Sequence, residues 1–177
     1  PYGVTLFAPA FHDAALMHYA ARLHHAAGLT LGATTEPVPA PPAEPDADTV
    51  RLMVCGAHMQ GLPLNHQLTE RGARRVAATR TAPDYRLYAL AGGPPFRPGL
   101  VRDEAQGAAI DVEVWERPLT GLGGFMTDIP APLGIGTVEL ENGEWCKGFI
   151  CEPCAIETAQ EIAAFGGWRQ FLASIGT

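Results

Sequence analysis

Apolar positions in this chain follow two periods, and the places where one gives way to the other mark its elements. The opening YGVTLFAP reads as a strand, and in the FHDAALMHYAARLHHAAG that follows, Leu16, Tyr19, Ala20 and Leu23 recur at helical spacing. Asp13 suits the first turn of that helix and Gly28 its end. In TVRLMVC, residues 49–55, Val50, Leu52 and Val54 alternate with Thr49, Arg51, Met53 and Cys55, the period of a strand with a buried face. Leu64, Leu68 and Val76 then predict a short helix, or a helix and a strand, with Pro63 at its start and Asn65 as its cap.

Further on, RLYAL (86–90) predicts a strand and GGPPFRPG (92–99) a turn. IDVEVWERP (110–118) sets Ile110, Val112 and Val114 against Asp111, Glu113 and Trp115, so a half-buried strand is expected, its carboxylates facing solvent. Leu119, Leu122, Phe125, Met126 and Ile129 keep helical spacing through LTGLGGFMTDI (119–129) despite three glycines. GIGTVEL and EWCKGFIC flank Asn142-Gly143, a pair that accepts the positive φ values of a two-residue hairpin turn. TAQEIAAF, with GWRQFLASI behind it, predicts a closing helix. Strands outnumber helices and the helices fall between them, which predicts an α+β fold on a mixed, barrel-like sheet.

One stretch carries neither period. EPVPAPPAEPDAD (36–48) alternates prolines with small and acidic residues, with four acids and no base, and is expected to run as a semi-rigid tether between residues 1–35 and a domain over 49–177. A single strand and helix bury too little surface to fold alone, so residues 1–35 read as the edge of a larger domain upstream.

Composition narrows the function classes. With 177 residues, 47% apolar and 18% charged, the chain can bury one sizeable core. No apolar run approaches the roughly 20 residues of a membrane span, and nothing at the start resembles a signal peptide. A cytoplasmic protein with no membrane partner is expected. The net charge is −7 and the 12 Lys and Arg are scattered, which offers nucleic acid little to hold. Four cysteines are too few for a disulfide framework, and reduced thiols are expected.

Candidate chemistry centres on VCGAHMQGLPLNH (54–66). A histidine on a loop between glycines keeps its ring free of the core, while neighbouring N–H groups can converge on a small carboxylate. The plainer reading, that Gly56 and Gly61 only shape a turn and His58 is a surface residue, stands beside it. Cys146, Cys151 and Cys154 lack the fourth ligand of a structural zinc site. His12, His18, His24 and His25 read as a polar helix face, because no cysteine or carboxylate joins them at ligand spacing. Asp111, Glu113 and Glu116 read as solvated charges rather than an acid–base pair. Ser174 is the only serine, which leaves no room for a serine triad. No metal and no cofactor are expected.

The stretches VCGAHMQGLPLNHQL, TRTAPDYRLYAL, GGPPFRPGLVR, PAPLGIGTVELENGEWCKGFICE and FGGWRQFL together resemble the C-terminal domain of allophanate hydrolase across residues 50 to 173. Residues 1–35 are similar to the tail of the amidase-signature domain that precedes it. The resemblance implies a γ-glutamyl cyclotransferase-like fold and a place in urea degradation, where the amidase domain acts through a Ser-Ser-Lys set. The C-terminal domain then decarboxylates the resulting N-carboxycarbamate. It places the catalytic histidine at His58, as general acid and base near its ordinary pKa of ~6.5.

Within the matching motifs, the N–H groups of Gly56, Ala57 and Leu62, together with Asn65, are expected to cradle the substrate. Tyr85 and Arg86 supply polar and charged contacts, and Pro132, Leu133 and Gly134 the opposite wall. The expected partners are a small dicarboxylate-like substrate, the upstream amidase domain and urea carboxylase. FMTDIPAP has Asp128 and then Ala131 where cyclotransferases carry a glutamate, so that activity is not expected. The Ser-Ser-Lys residues are not in this chain, so hydrolysis of allophanate by it alone is not expected, and it reads as a piece of a longer enzyme. The alternative is a non-catalytic assembly domain.

Overall fold

The structure is a computed structural model that describes residues 3–8, 13–40 and 48–176. Two compact units emerge, Pro1–Ala47 and Asp48–Thr177. In the first, α1 spans Asp13–Ala26 with Asp13 in its first turn. It ends where the Gly28 N–H donates to the His25 carbonyl and Gly28 adopts a φ of 63°. The predicted opening strand does not form over residues 3–8, which are exposed and pair with no strand among the described residues. His12 lies outside the described residues. The tether begins with an isolated bridge between Thr30 and Pro37; residues 41–47 also lie outside the described part.

The second unit is an α+β domain with two sheets. Its strands are β1 (Thr49–Val54), β2 (Arg74–Arg80), β3 (Tyr85–Ala89), β4 (Pro98–Arg102), β5 (Asp111–Pro118), β6 (Leu133–Glu139), β7 (Trp145–Cys151) and β8 (Gln160–Glu161). Five make one sheet in the order β2-β5-β1-β7-β6, and three the other, β4-β3-β8. All pairings are antiparallel except β1 with β7. Each sheet keeps free edges, so the expected barrel is not closed. The helices are α2 (His66–Thr69), α3 (Leu122–Thr127) and α4 (Trp168–Ser174). No helix among the described residues is long and apolar enough to cross a membrane.

Three departures from the expected elements have local causes. The helix over 119–129 is cut to six residues, because Gly121 caps it at a φ of 84° and Gly123 and Gly124 weaken its interior. TAQEIAAF does not form an α-helix: Gln160–Glu161 pairs with the edge of β3, the Ile162 N–H donates to the Leu87 carbonyl, and only Ala163–Phe165 makes one 3-10 turn. The turn expected over 92–99 also gives way earlier, since β4 begins at Pro98. The core gathers Leu52, Val54, Leu87, Leu100, Ile110, Val114, Phe125 and Trp168 between the sheets and α3 and α4.

Candidate functional site

The end of β1 delivers the chain into a tight double turn. Cys55 is buried, and the Met59 N–H donates to the Gly56 carbonyl at 2.9 Å and the Leu62 N–H to the Met59 carbonyl at 3.0 Å. Gly61 closes the turn at a φ of 77°, where a side chain would be strained. Gly56 is required for another reason. A Cβ there would lie 2.5 Å from the Cδ of Pro98, so only glycine lets the turn approach the 92–98 loop. The turn's internal bonds use the carbonyls of Gly56 and Ala57 but not their N–H groups.

Between this turn and that loop lies a cavity of about 350 Å³. Val54, Cys55, Gly56, Ala57 and His58 form one side, and Leu64 and Gln67 continue it. Gly93, Pro94, Pro95, Arg97 and Pro98 form the second side, and Phe125, Asp128, Ile129, Pro130, Leu133 and Phe149 the third. The lining is largely apolar with a few polar groups, the usual make-up of a small-molecule site. Asp128 pairs with Arg71 at 2.7 Å. Arg97 makes no ion pair among the described residues and is a charge available to a bound anion.

His58 is held on three sides. Its ring stacks on Phe149 with centroids 5.0 Å apart and meets the Phe125 edge at 5.5 Å. Nε2 lies 2.9 Å from Gln67 Oε1. A carboxamide oxygen can only accept, so Nε2 carries the proton of the neutral ring and Nδ1 is the basic nitrogen. Burial against the two phenyl rings lowers the His58 pKa below the ordinary 6.5, a shift that the Gln67 hydrogen bond opposes and the charges of His66 and Arg71 reinforce. The imidazole is therefore neutral at rest, a correction to the expectation of an ordinary pKa. Burial also pushes the Cys55 thiol up to about 12, so it lines the cavity as an inert apolar group.

The model of the allophanate hydrolase C-terminal domain matches residues 50–173. The chain belongs to that family. It is 37% identical over 186 residues to the urea amidolyase of Saccharomyces cerevisiae, an alignment covering 97% of this chain and 10% of that protein. It thus spans about a tenth of that relative's length. Among solved structures, the urea amidolyase of Kluyveromyces lactis is 36% identical, with a TM-score of 0.71 over 94% of this chain and 11% of that one. A protein specific to uropathogenic E. coli is 32% identical, with a TM-score of 0.67 over 71% of this chain and 97% of its own.

The structure gathers some of the residues that the family motifs single out and scatters others. Gly56, Ala57, His58 and Leu133 line the cavity. The Leu62 N–H is spent on the Met59 carbonyl and does not face a ligand. Asn65 has helical angles and makes no side-chain cap for α2; its Nδ2 donates instead to the His58 carbonyl at 2.9 Å. Tyr85 is 1% exposed, and its hydroxyl accepts the Glu139 N–H at 2.9 Å, so it ties the two sheets together. Arg86 pairs with Asp103 and Glu161 at the second sheet. The Pro132 carbonyl accepts the Glu152 N–H, and Gly134 pairs with Ile150 inside the β6–β7 hairpin.

The residues that sequence reasoning overlooked are Gln67, Phe125, Phe149 and Arg97. Gln67 and Arg97 stand inside the matched motifs, in NHQL and PPFRPG, which was the available signal. Among the described residues no cluster of three or more His, Cys, Asp or Glu is placed to hold a metal, and all four cysteines are free.

Proposed function

We propose that this domain binds N-carboxycarbamate in the His58 cavity and decarboxylates it, with His58 as the proton donor. The observation that carries the reading is a neutral, half-buried imidazole in the wall of a small cavity that also presents Arg97 and the glycine-bounded turn. One carboxylate meets the N–H groups of Gly56 and Ala57, and Arg97 takes the other. The dianion raises the proton affinity of His58, which becomes imidazolium in the complex. When the C–N bond to one carboxylate breaks, CO2 leaves and the electron pair stays on nitrogen. His58 gives its proton to that nitrogen, and carbamate results. Solvent restores the proton.

Family membership and the relatives' greater length support a wider reading. Residues 1–35 would be the closing segment of an amidase-signature domain, residues 36–48 its tether, and the amidase and urea carboxylase the partners that supply the substrate.

The test is to generate N-carboxycarbamate in situ with a separate allophanate amidase and follow CO2 release with this chain, its His58→Ala variant, or no added domain. Acceleration over the uncatalysed decay that is lost with His58→Ala supports the reading. Equal rates in all three overturn it and favour a purely structural domain. Malonate, an isosteric dicarboxylate, should bind the wild type and perturb the His58 resonances, and binding should weaken in Arg97→Met.

A further inference from the structure

Glu113 lies on β5 among alternating residues whose carboxylates were expected to face water. It is instead 3% exposed, because both faces of this strand, which lies between β2 and β1, are covered. Its charge is compensated in detail: Oε2 accepts the Trp115 Nε1–H at 3.0 Å and the Gln60 N–H at 2.8 Å, while Oε1 lies 2.9 Å from Arg169 and 3.5 Å from Arg75. Arg169 stands at the start of α4, and the same Nη2 that meets Glu113 also donates to the Gln60 carbonyl at 2.6 Å. Both polar groups of the Gln60 backbone are thus gripped by one ion pair, whose carboxylate is buried and whose guanidinium reaches the surface.

Gln60 is two residues beyond His58 in the same turn. From the other end, Asn65 holds the His58 carbonyl, so the peptides after His58 are fixed from both sides. Neither Glu113 nor Arg169 lines the His58 cavity. We propose that the Glu113–Arg169 pair is a positioning clamp for His58, coupling the C-terminal helix to the site by fixing the backbone that aims the imidazole at Gln67 and the cavity. This deepens the function proposed above and rests on it for its catalytic consequence. The physical basis is that a catalytic group displaced by about 1 Å loses on the order of a hundredfold in rate, whereas charge-assisted hydrogen bonds to a backbone hold a turn more tightly than neutral ones.

Arg169 has a side chain 41% exposed, so its replacement is compatible with folding. In the 177-residue chain, Arg169→Met should lower kcat roughly 10- to 100-fold with little change in KM, and Arg169→Lys, which keeps the charge on a shorter side chain, should recover part of it. On a His58→Ala background Arg169→Met should cost nothing further, because its effect passes through the imidazole. Independently of substrate, Arg169→Met and Glu113→Gln should speed hydrogen exchange at the Gln60 amide and shift the His58 ring resonances. If Glu113→Gln does not fold, Arg169→Met alone decides. Unchanged Gln60 exchange and His58 resonances would overturn the clamp even if stability fell, and so would an equal rate loss with and without His58. A wild type that fails to accelerate decarboxylation would sink the proposed function, while the exchange and resonance data would still judge the clamp.

Discussion

Gln67, in the first turn of a helix only four residues long, holds His58 Nε2 at 2.9 Å through its carboxamide oxygen. The contact fixes the tautomer of a ring whose other restraints are the Phe149 face and an edge contact with Phe125. Gln67→Glu places a carboxylate where the amide was and favours the imidazolium. The His58 titration midpoint, followed by NMR, should rise in that variant, and malonate should bind more weakly because the cavity gains a negative charge. An unmoved midpoint would show that Gln67 does not face the ring in solution.

The lowered pKa of His58 makes stability depend on pH with a definite sign. In the unfolded chain His58 titrates near the ordinary 6.5, and in the folded state lower. Between those values the unfolded state binds the extra proton, so folding stability is full above about pH 7 and falls as the pH drops through the window. Melting temperatures of the wild type and His58→Gln across pH 8 to 5 should diverge only in the acidic half, with the wild type losing more. Parallel curves would mean that the ring is solvated.

How much of this was legible in the sequence depends on whether a local period or a distant partner decided the outcome. β1 and β5 follow from alternation, and the β6–β7 hairpin from Gly143, which takes a φ of 82°; its loop is Glu141–Gly143, with the Gly143 N–H donating to the Leu140 carbonyl, rather than the expected two-residue Asn142-Gly143 turn. TAQEIAAF failed because its helical composition was outweighed by an open strand edge at β3, some 70 residues earlier in the chain. Glu113 was misread for the same reason: alternation shows which residues share a face, but not that Arg169, 56 residues away, will cover that face. His58 was legible as a candidate from its two glycines, whereas its aromatic walls, Phe125 and Phe149, come together only in the fold.

Gly56 and Gly123 offer a contrast in what glycine does. A methyl group at Gly56 would sit 2.5 and 2.6 Å from the ring carbons of Pro98, part of the cavity wall. Gly56→Ala should therefore cost about 1–3 kcal/mol through overpacking, and displacing the 92–98 loop should abolish malonate binding. Gly123 has nothing within 4 Å of its would-be Cβ and lies inside α3. Gly123→Ala should stabilise the domain by roughly 0.5–1 kcal/mol. Thermal or urea denaturation of both variants tests the pair, and equal effects would contradict the packing described at Gly56.

Arg117, on β5, is the least compensated charge in the core. It is 0% exposed, its three guanidinium nitrogens have no hydrogen-bond partner among the described residues, and its cation lies over the Phe125 ring, 4.8 Å from Cζ. Burial, helped by the nearby Arg71, lowers its pKa. A cation over a desolvated ring gains about 2 kcal/mol, less than the several kcal/mol that taking an ion out of water costs. Arg117→Met keeps the length and apolar stem while removing the charge, so it should raise stability, on the order of 1–3 kcal/mol. Phe125→Leu should then cost less in the Arg117→Met background than in the wild type, by roughly 0.5–2 kcal/mol, the part owed to the cation–π contact. Urea unfolding of the four proteins measures both quantities. A destabilised Arg117→Met with purely additive effects would mean that the guanidinium finds its compensation elsewhere than on Phe125.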